Sequence, residues 1–302
     1  MNNILEFIGS YSGVVALGAG FLGLIAGIMG TFIVIRQESL VGDAVSHSAL
    51  PGIVIAFLIM GVKNSFGLMI GATVAGLLAL FIIVTITKYS KIKFDTALAL
   101  VLSTFFGFGM VLLGYIQKMP DGNHAGLDSY IFGQAAGFMR KDLITLFITF
   151  LIILAAILLF YKELKLYSFD SAYLKALGYN TKFIALMMNT LVVLTVVVGL
   201  QMVGVILMSA MLIAPATAGR LLSDRLPVVL TISGIIGFLG GYFGTVISVI
   251  YGYPTGPAIS VLLVILVLIT LFFAPGRGLI AKKISDKKKS ESFEKMKEEK
   301  NA

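Results

Sequence analysis

Asp43 and His47 are the residues of this chain whose types and spacing point most directly to chemistry. They lie within Arg36-Gln37-Glu38-Ser39-Leu40-Val41-Gly42-Asp43-Ala44-Val45-Ser46-His47-Ser48-Ala49-Leu50-Pro51-Gly52, a stretch with four ionisable groups set between two long apolar runs. If the segment is helical from Leu40, the two side chains share one face, with their Cβ atoms roughly 6 Å apart. A carboxylate oxygen and an imidazole nitrogen could then converge on one divalent cation. An ionised Asp at bilayer depth costs about 2.5–3.5 kcal/mol on insertion scales, so such a residue usually faces a cavity or a partner. The alternative is structural: Asp43 capping a helix start, and His47 an interior residue with a hydrogen bond. Two ligands make an incomplete metal site, and spacing alone leaves both readings open.

The elements that must position this pair are membrane helices. Hydrophobic residues make up 58% of 302, charged residues only 13%, and the mean hydropathy is +1.01, whereas a soluble domain is about 25% charged. With no cysteine, disulfides and thiolate metal sites are both excluded. Met1 to Ser10 carries Glu6 and no basic residue, so the run that follows is expected to be a retained first helix and not a secretory leader. Apolar runs of spanning length fall near 12–35, 40–60, 65–87, 94–116, 140–161, 182–200, 203–219, 227–250 and 257–274. The fold class expected is an all-α polytopic bundle of about nine transmembrane helices, or eight if 203–219, interrupted by Pro215, does not cross fully.

An external N-terminus with alternating sides puts Arg36, Lys88, Lys91, Lys93, Lys162, Lys165, Lys175, Lys182, Arg220 and Arg225 together with the C-terminal tail. Only Lys63, Lys118, Arg140 and Lys141 fall opposite, so the first side is expected to be cytoplasmic. The net charge of +8 is thus a topology signal, and no nucleic-acid partner is expected. Residues 1–275 read as one transmembrane domain. Residues 276–302, with nine Lys or Arg and five Asp or Glu, read as a basic tail too polar to bury a core.

Three connections carry further signals. Met119 to Met139 reads as an external loop in which Asp121, His124 and Asp128 could collect a cation, against the plainer reading of a solvated loop. Phe169-Asp170-Ser171-Ala172-Tyr173-Leu174-Lys175-Ala176-Leu177-Gly178 predicts a short helix, with Asp170 at its start and Gly178 as its stop. It could be a linker or a docking knob for a cytoplasmic protein. The run containing Gly204 and Pro215 predicts a broken helix, kinked by the proline, of the kind that lines transport cavities. Gly42 and the Pro51-Gly52 pair give the opening stretch the same character. No phosphate-binding Gly-x-x-x-x-Gly-Lys-Ser/Thr loop and no hydrolase motif occurs, so an enzyme activity is not expected.

The opening stretch, together with Val203-Gly204-Val205-Ile206-Leu207-Met208-Ser209-Ala210-Met211-Leu212-Ile213-Ala214-Pro215-Ala216, resembles the ABC-3 family. These are the permease subunits of manganese, zinc and iron importers, and the likeness runs from about Val14 to Pro275. The resemblance implies a homodimeric permease in a bacterial plasma membrane, docked on two cytoplasmic ATPase subunits that supply ATP hydrolysis. It also implies that metal arrives from an extracytoplasmic metal-binding protein and crosses by alternating access. Asp43 and His47 match cation-coordinating positions of the family, and Asp170, Ala172, Lys175, Ala176 and Gly178 match its coupling segment. Gly42, Pro51, Gly204 and Pro215 fall in pathway or broken-helix positions. No cofactor is implied. The divalent ion is substrate, with manganese favoured by Asp128 to Phe138 and zinc or iron as the alternatives. A gradient-driven secondary transporter is the competing class, but the spans offer few buried acids beyond Asp43 and Asp95.

Overall fold

The computed structural model describes residues 11–62, 64–118, 140–275, 278–280 and 283. The predicted loop from Met119 to Met139, with Asp121, His124 and Asp128, lies outside them, as does most of the basic tail. Among the described residues ten helices follow one another: α1 (Tyr11–Ile35), α2 (Val41–Met60), α3 (Ser65–Tyr89), α4 (Phe94–Ile116), α5 (Arg140–Leu159), α6 (Tyr161–Phe169), α7 (Ser171–Ala176), α8 (Thr181–Leu222), α9 (Leu226–Tyr251) and α10 (Thr255–Phe273). Seven helical stretches among the described residues are long and apolar enough to cross a bilayer. The α5–α6 pair, bent by 78°, makes eight if it is one span, and Leu207–Leu222 is apolar but shorter than a span, so the expected nine crossings become seven or eight.

α1 is the centre of the bundle. Leu22, Ile25, Met29 and Phe32 are fully buried along it, and its glycines let α9 come backbone to backbone. A Cβ on Gly23 would run into the Gly237 carbonyl, one on Gly27 into that of Ser233, and one on Gly241 into that of Ala19. Lipid tails are as apolar as leucine, so helix association in a membrane rests on this close packing and not on escape from water. The same device joins α2 to α3, where Gly52 and Gly71 face each other's carbonyls. Pro51 and Gly52 therefore serve a close crossing inside a continuous helix.

α8 holds the main departure from regular geometry. Gly204 has φ 76° and ψ 174°, a region open essentially to glycine alone. Before it, Thr181–Val205 runs beside α2 and α3: Val193 packs at Gly76, and Gln201 donates to the Ser65 carbonyl at the far end. After it, Leu207–Leu222 returns along α1, placing Met211 against Gly23 and Leu212 against Gly30. The chain thus doubles back, and Met208 lies on Gly199. The sequence named both Gly204 and Pro215 as broken-helix positions and gave the kink to the proline; the reversal is at Gly204, and Pro215 sits within the returning helix.

Candidate functional site

α2 begins at a strained corner. Gln37 takes a left-handed φ of 59°, and Val41 N–H donates to the Glu38 carbonyl at 2.9 Å. Arg36 braces the turn with two bonds to Glu38, Nε to Oε2 at 2.9 Å and Nη2 to Oε1 at 2.6 Å. Its guanidinium also lies 4.2 Å from the centre of the Tyr167 ring on α6. Burial opposes the guanidinium charge, but Glu38 and Tyr167 outweigh it and raise the Arg36 pKa above its ordinary value. The corner that launches α2 is thereby joined to the helix that leads into α7.

Leu40 occupies the N-cap position of α2 and offers no side-chain acceptor, so Asp43 is not the cap. Its carboxylate instead accepts a hydrogen bond from Ser209 Oγ at 2.7 Å, across from the returning half of α8. The positive end of the helix dipole favours an acid in this first turn. Gly42 permits the approach, because a Cβ there would collide with the Leu212 side chain. His47 lies one turn on, its Nε2 3.9 Å from Asp43 Oδ1, and its ring meets Phe106 of α4 edge to face at 4.8 Å between centroids. His47 Nδ1 is buried without a hydrogen-bond partner, as are the hydroxyls of Ser46 and Ser48.

Exposure sets the pair apart. From Val41 to Val54 every residue is buried except Asp43 and His47. Donors on one ion sit about 2.0–2.2 Å from it, so an oxygen and a nitrogen 3.9 Å apart can both reach a single cation at an obtuse angle. Among the described residues there is no cluster of three or more His, Cys, Asp or Glu side chains, which leaves this two-residue face with its neighbouring hydroxyl. A cavity of about 630 Å³ opens further along α2, between Pro51, Ile55, Ile70, Phe105 and Phe108. Its lining is apolar apart from Thr104 and offers a cation little.

The predicted docking helix forms as α7. Asp170 Oδ1 accepts from Ala172 N and Tyr173 N at 3.0 and 2.9 Å, and Gly178 ends the segment with φ 85°. Only Leu174 of residues 170–180 is buried, so Ala172, Lys175 and Ala176 are exposed together with Phe169, Tyr173 and Leu177. Of the residues singled out in the sequence, Gly42, Asp43 and His47 converge. Pro51 lies two turns beyond Asp43, Gly204 makes the reversal, Pro215 lies in the returning helix, and the α7 set stands apart from the pair. Sequence reasoning missed Ser209, Phe106 and the Arg36–Tyr167 contact. Ser209 lies inside the second quoted motif, but a lone serine on an apolar helix usually bonds its own backbone and gives little signal.

A bundle of apolar helices, with one acid–imidazole pair facing outward beside a reversed helix, defines a polytopic membrane protein with a polar site inside its spans. Residues 11–274 match the ABC 3 transport family. The chain belongs to that family. It is 44% identical over 271 residues to the manganese transport system membrane protein MntC of Bacillus subtilis, covering 89% of this chain and 62% of that protein. It is 41% identical over 267 residues to the zinc transport system membrane protein TroC of Treponema pallidum, covering 88% of this chain and 90% of that one. Among solved structures, PsaBC from Streptococcus pneumoniae in complex with Fab superposes with a TM-score of 0.81 at 31% identity, over 93% of this chain and 99% of that chain.

Proposed function

We propose that this chain is the membrane permease of an ATP-driven importer of a divalent transition metal, and that Asp43 and His47 bind the ion in transit. The observation that carries the proposal is the outward-facing pair, 3.9 Å apart, on a helix whose other residues at that depth are buried. Relatives named for manganese and for zinc transport support the class of ion. Oxygen and imidazole donors suit manganese, iron or zinc, and the lack of cysteine argues against a soft ion such as Cu(I); manganese is the first choice on the resemblance of the sequence Asp128 to Phe138 to manganese-importing members, with zinc or iron as the alternative. A site of few ligands also suits transport, since the ion must leave again.

The remaining parts follow from this reading. Residues 1–275 form the permease, and 276–302 a basic tail on the cytoplasmic side. The end of the bundle holding Arg36, Lys88, Lys91, Lys93, Arg220 and Arg225 faces the cytoplasm, and the N-terminus lies outside. α7 docks an ATPase subunit through its exposed face, with Asp170 and Gly178 shaping the helix and Ala172, Lys175 and Ala176 making contact. A second copy closes the open side of the Asp43/His47 face, and an extracytoplasmic binding protein delivers the metal. Gly42 and Pro51 allow α2 its close packing, while Gly204 and Pro215 shape the wall opposite.

The test is metal accumulation in cells lacking their own importer that express this chain with its ATPase and binding protein. Mn, Zn and Fe are quantified together for wild type, Asp43→Ala and His47→Ala, with membrane levels checked. We expect each substitution to abolish uptake of one metal at normal protein level. Undiminished uptake in both would return the pair to a structural role.

A further inference from the structure

We infer that Ser209 is a positioning residue of the metal site, so that the returning half of α8, and not α2 alone, assembles it. The inference rests on the Asp43/His47 reading and deepens it. The Ser209 hydroxyl donates to Asp43 Oδ1 at 2.7 Å, an ordinary length for a well-formed hydroxyl–oxygen bond. Hydroxyls inside helices usually turn back to the carbonyl four residues earlier. Those of Thr31, Thr73, Thr195 and Thr245 do so here. Ser209 instead reaches across to another helix.

The bonded oxygen is also the one that lies 3.9 Å from His47 Nε2. One donor therefore fixes the carboxylate rotation that faces it toward the imidazole, and both oxygens keep lone pairs for an ion. Three features of the backbone deliver the hydroxyl to this point: the reversal at Gly204, five residues upstream, the missing side chain of Gly42, and the seat of Leu212 against Gly42 and Gly30. In the metal-free protein the O–H stabilises a carboxylate that would otherwise stand unpaired at membrane depth. With metal bound it keeps that carboxylate aimed. Being neutral, it adds no charge that would trap the ion.

The experiment measures Mn²⁺ binding to the purified full-length chain with its ATPase, by equilibrium dialysis, at matched folded fraction checked by gel filtration and thermal melting. Ser209→Ala is expected to weaken binding by about 10–100-fold, while Ser209→Thr, which keeps the hydroxyl, stays within about threefold of wild type. Ser209→Val, nearly isosteric with the threonine variant, should behave like Ser209→Ala and decides the matter if the alanine variant folds poorly. Wild-type affinity in both Ser209→Val and Ser209→Ala, with binding lost in Asp43→Ala, overturns the role of Ser209 and leaves the site standing. Wild-type affinity in Asp43→Ala overturns the site, and the inference with it.

Discussion

Charge and shape can be separated at Asp43. Asn in its place would keep the volume and an oxygen to accept from Ser209, but would remove the negative charge. An ionised acid in the hydrocarbon is unfavourable, so Asp43→Asn should leave the melting temperature of the purified protein unchanged or slightly raised. Metal uptake should fall at least about tenfold, the lower end of the losses seen when the surroundings of a metal are disturbed. A protein that melts lower and transports normally would mean that the carboxylate is structural. The Asp43–His47 relation was legible in the sequence because helical spacing alone makes the two neighbours. Phe106 and Ser209 were not, because both reach the pair from helices distant in the chain and neither residue type stands out in an apolar run.

Two helices are decided by single residues. The reversal in α8 depends on Gly204, whose φ of 76° and ψ of 174° costs about 1–3 kcal/mol for any other residue. Gly204→Ala should therefore lower stability by about that amount and move the returning helix, so that Mn²⁺ binding falls along with the melting temperature. Circular dichroism melting and dialysis on one sample would show both effects. In α7 the cap is the exposed handle. Asp170→Ala removes an acceptor serving two backbone N–H groups, which costs the short helix about 1 kcal/mol. The bundle should fold normally, and the amount of ATPase that co-purifies should drop. Both ends of α7 were readable in advance from Asp170 and Gly178. The break in α8 was legible in part: the separate runs at 182–200 and 203–219 put an interruption beside Gly204, but the kink was assigned to Pro215, because proline is the louder signal, whereas Gly204 takes a backbone shape that no periodicity reveals.

At the scale of the molecule, α1 and α9 form a spine through backbone contact at Gly23, Gly27, Gly237 and Gly241. An added methyl at Gly23 or Gly237 has no flexible side chain to push aside. Gly237→Ala should destabilise the detergent-solubilised protein by about 1–3 kcal/mol, the usual range for overpacking, and size-exclusion profiles after mild heating would reveal it. The apolar runs were visible from length and hydropathy alone, though one of them, returning from Gly204, is too short to count as a crossing. Which of them touch was not, because helices that are apolar all round carry no stripe to say which side faces protein and which faces lipid. The glycines were visible as well, but only the folded chain shows that those of α1 meet those of α9.

That spine has a consequence for how the protein is made. α1 ends at Ile35 and α9 begins only at Leu226, so α1 leaves the ribosome well before its partner. At about 5–20 residues per second, α1 waits on the order of ten seconds or more with its glycine groove facing lipid or a temporary companion. Its lasting neighbour is a segment translated much later. A chain cut short before α9 would therefore lack its central contact, and a cell could recognise unfinished copies by that open groove.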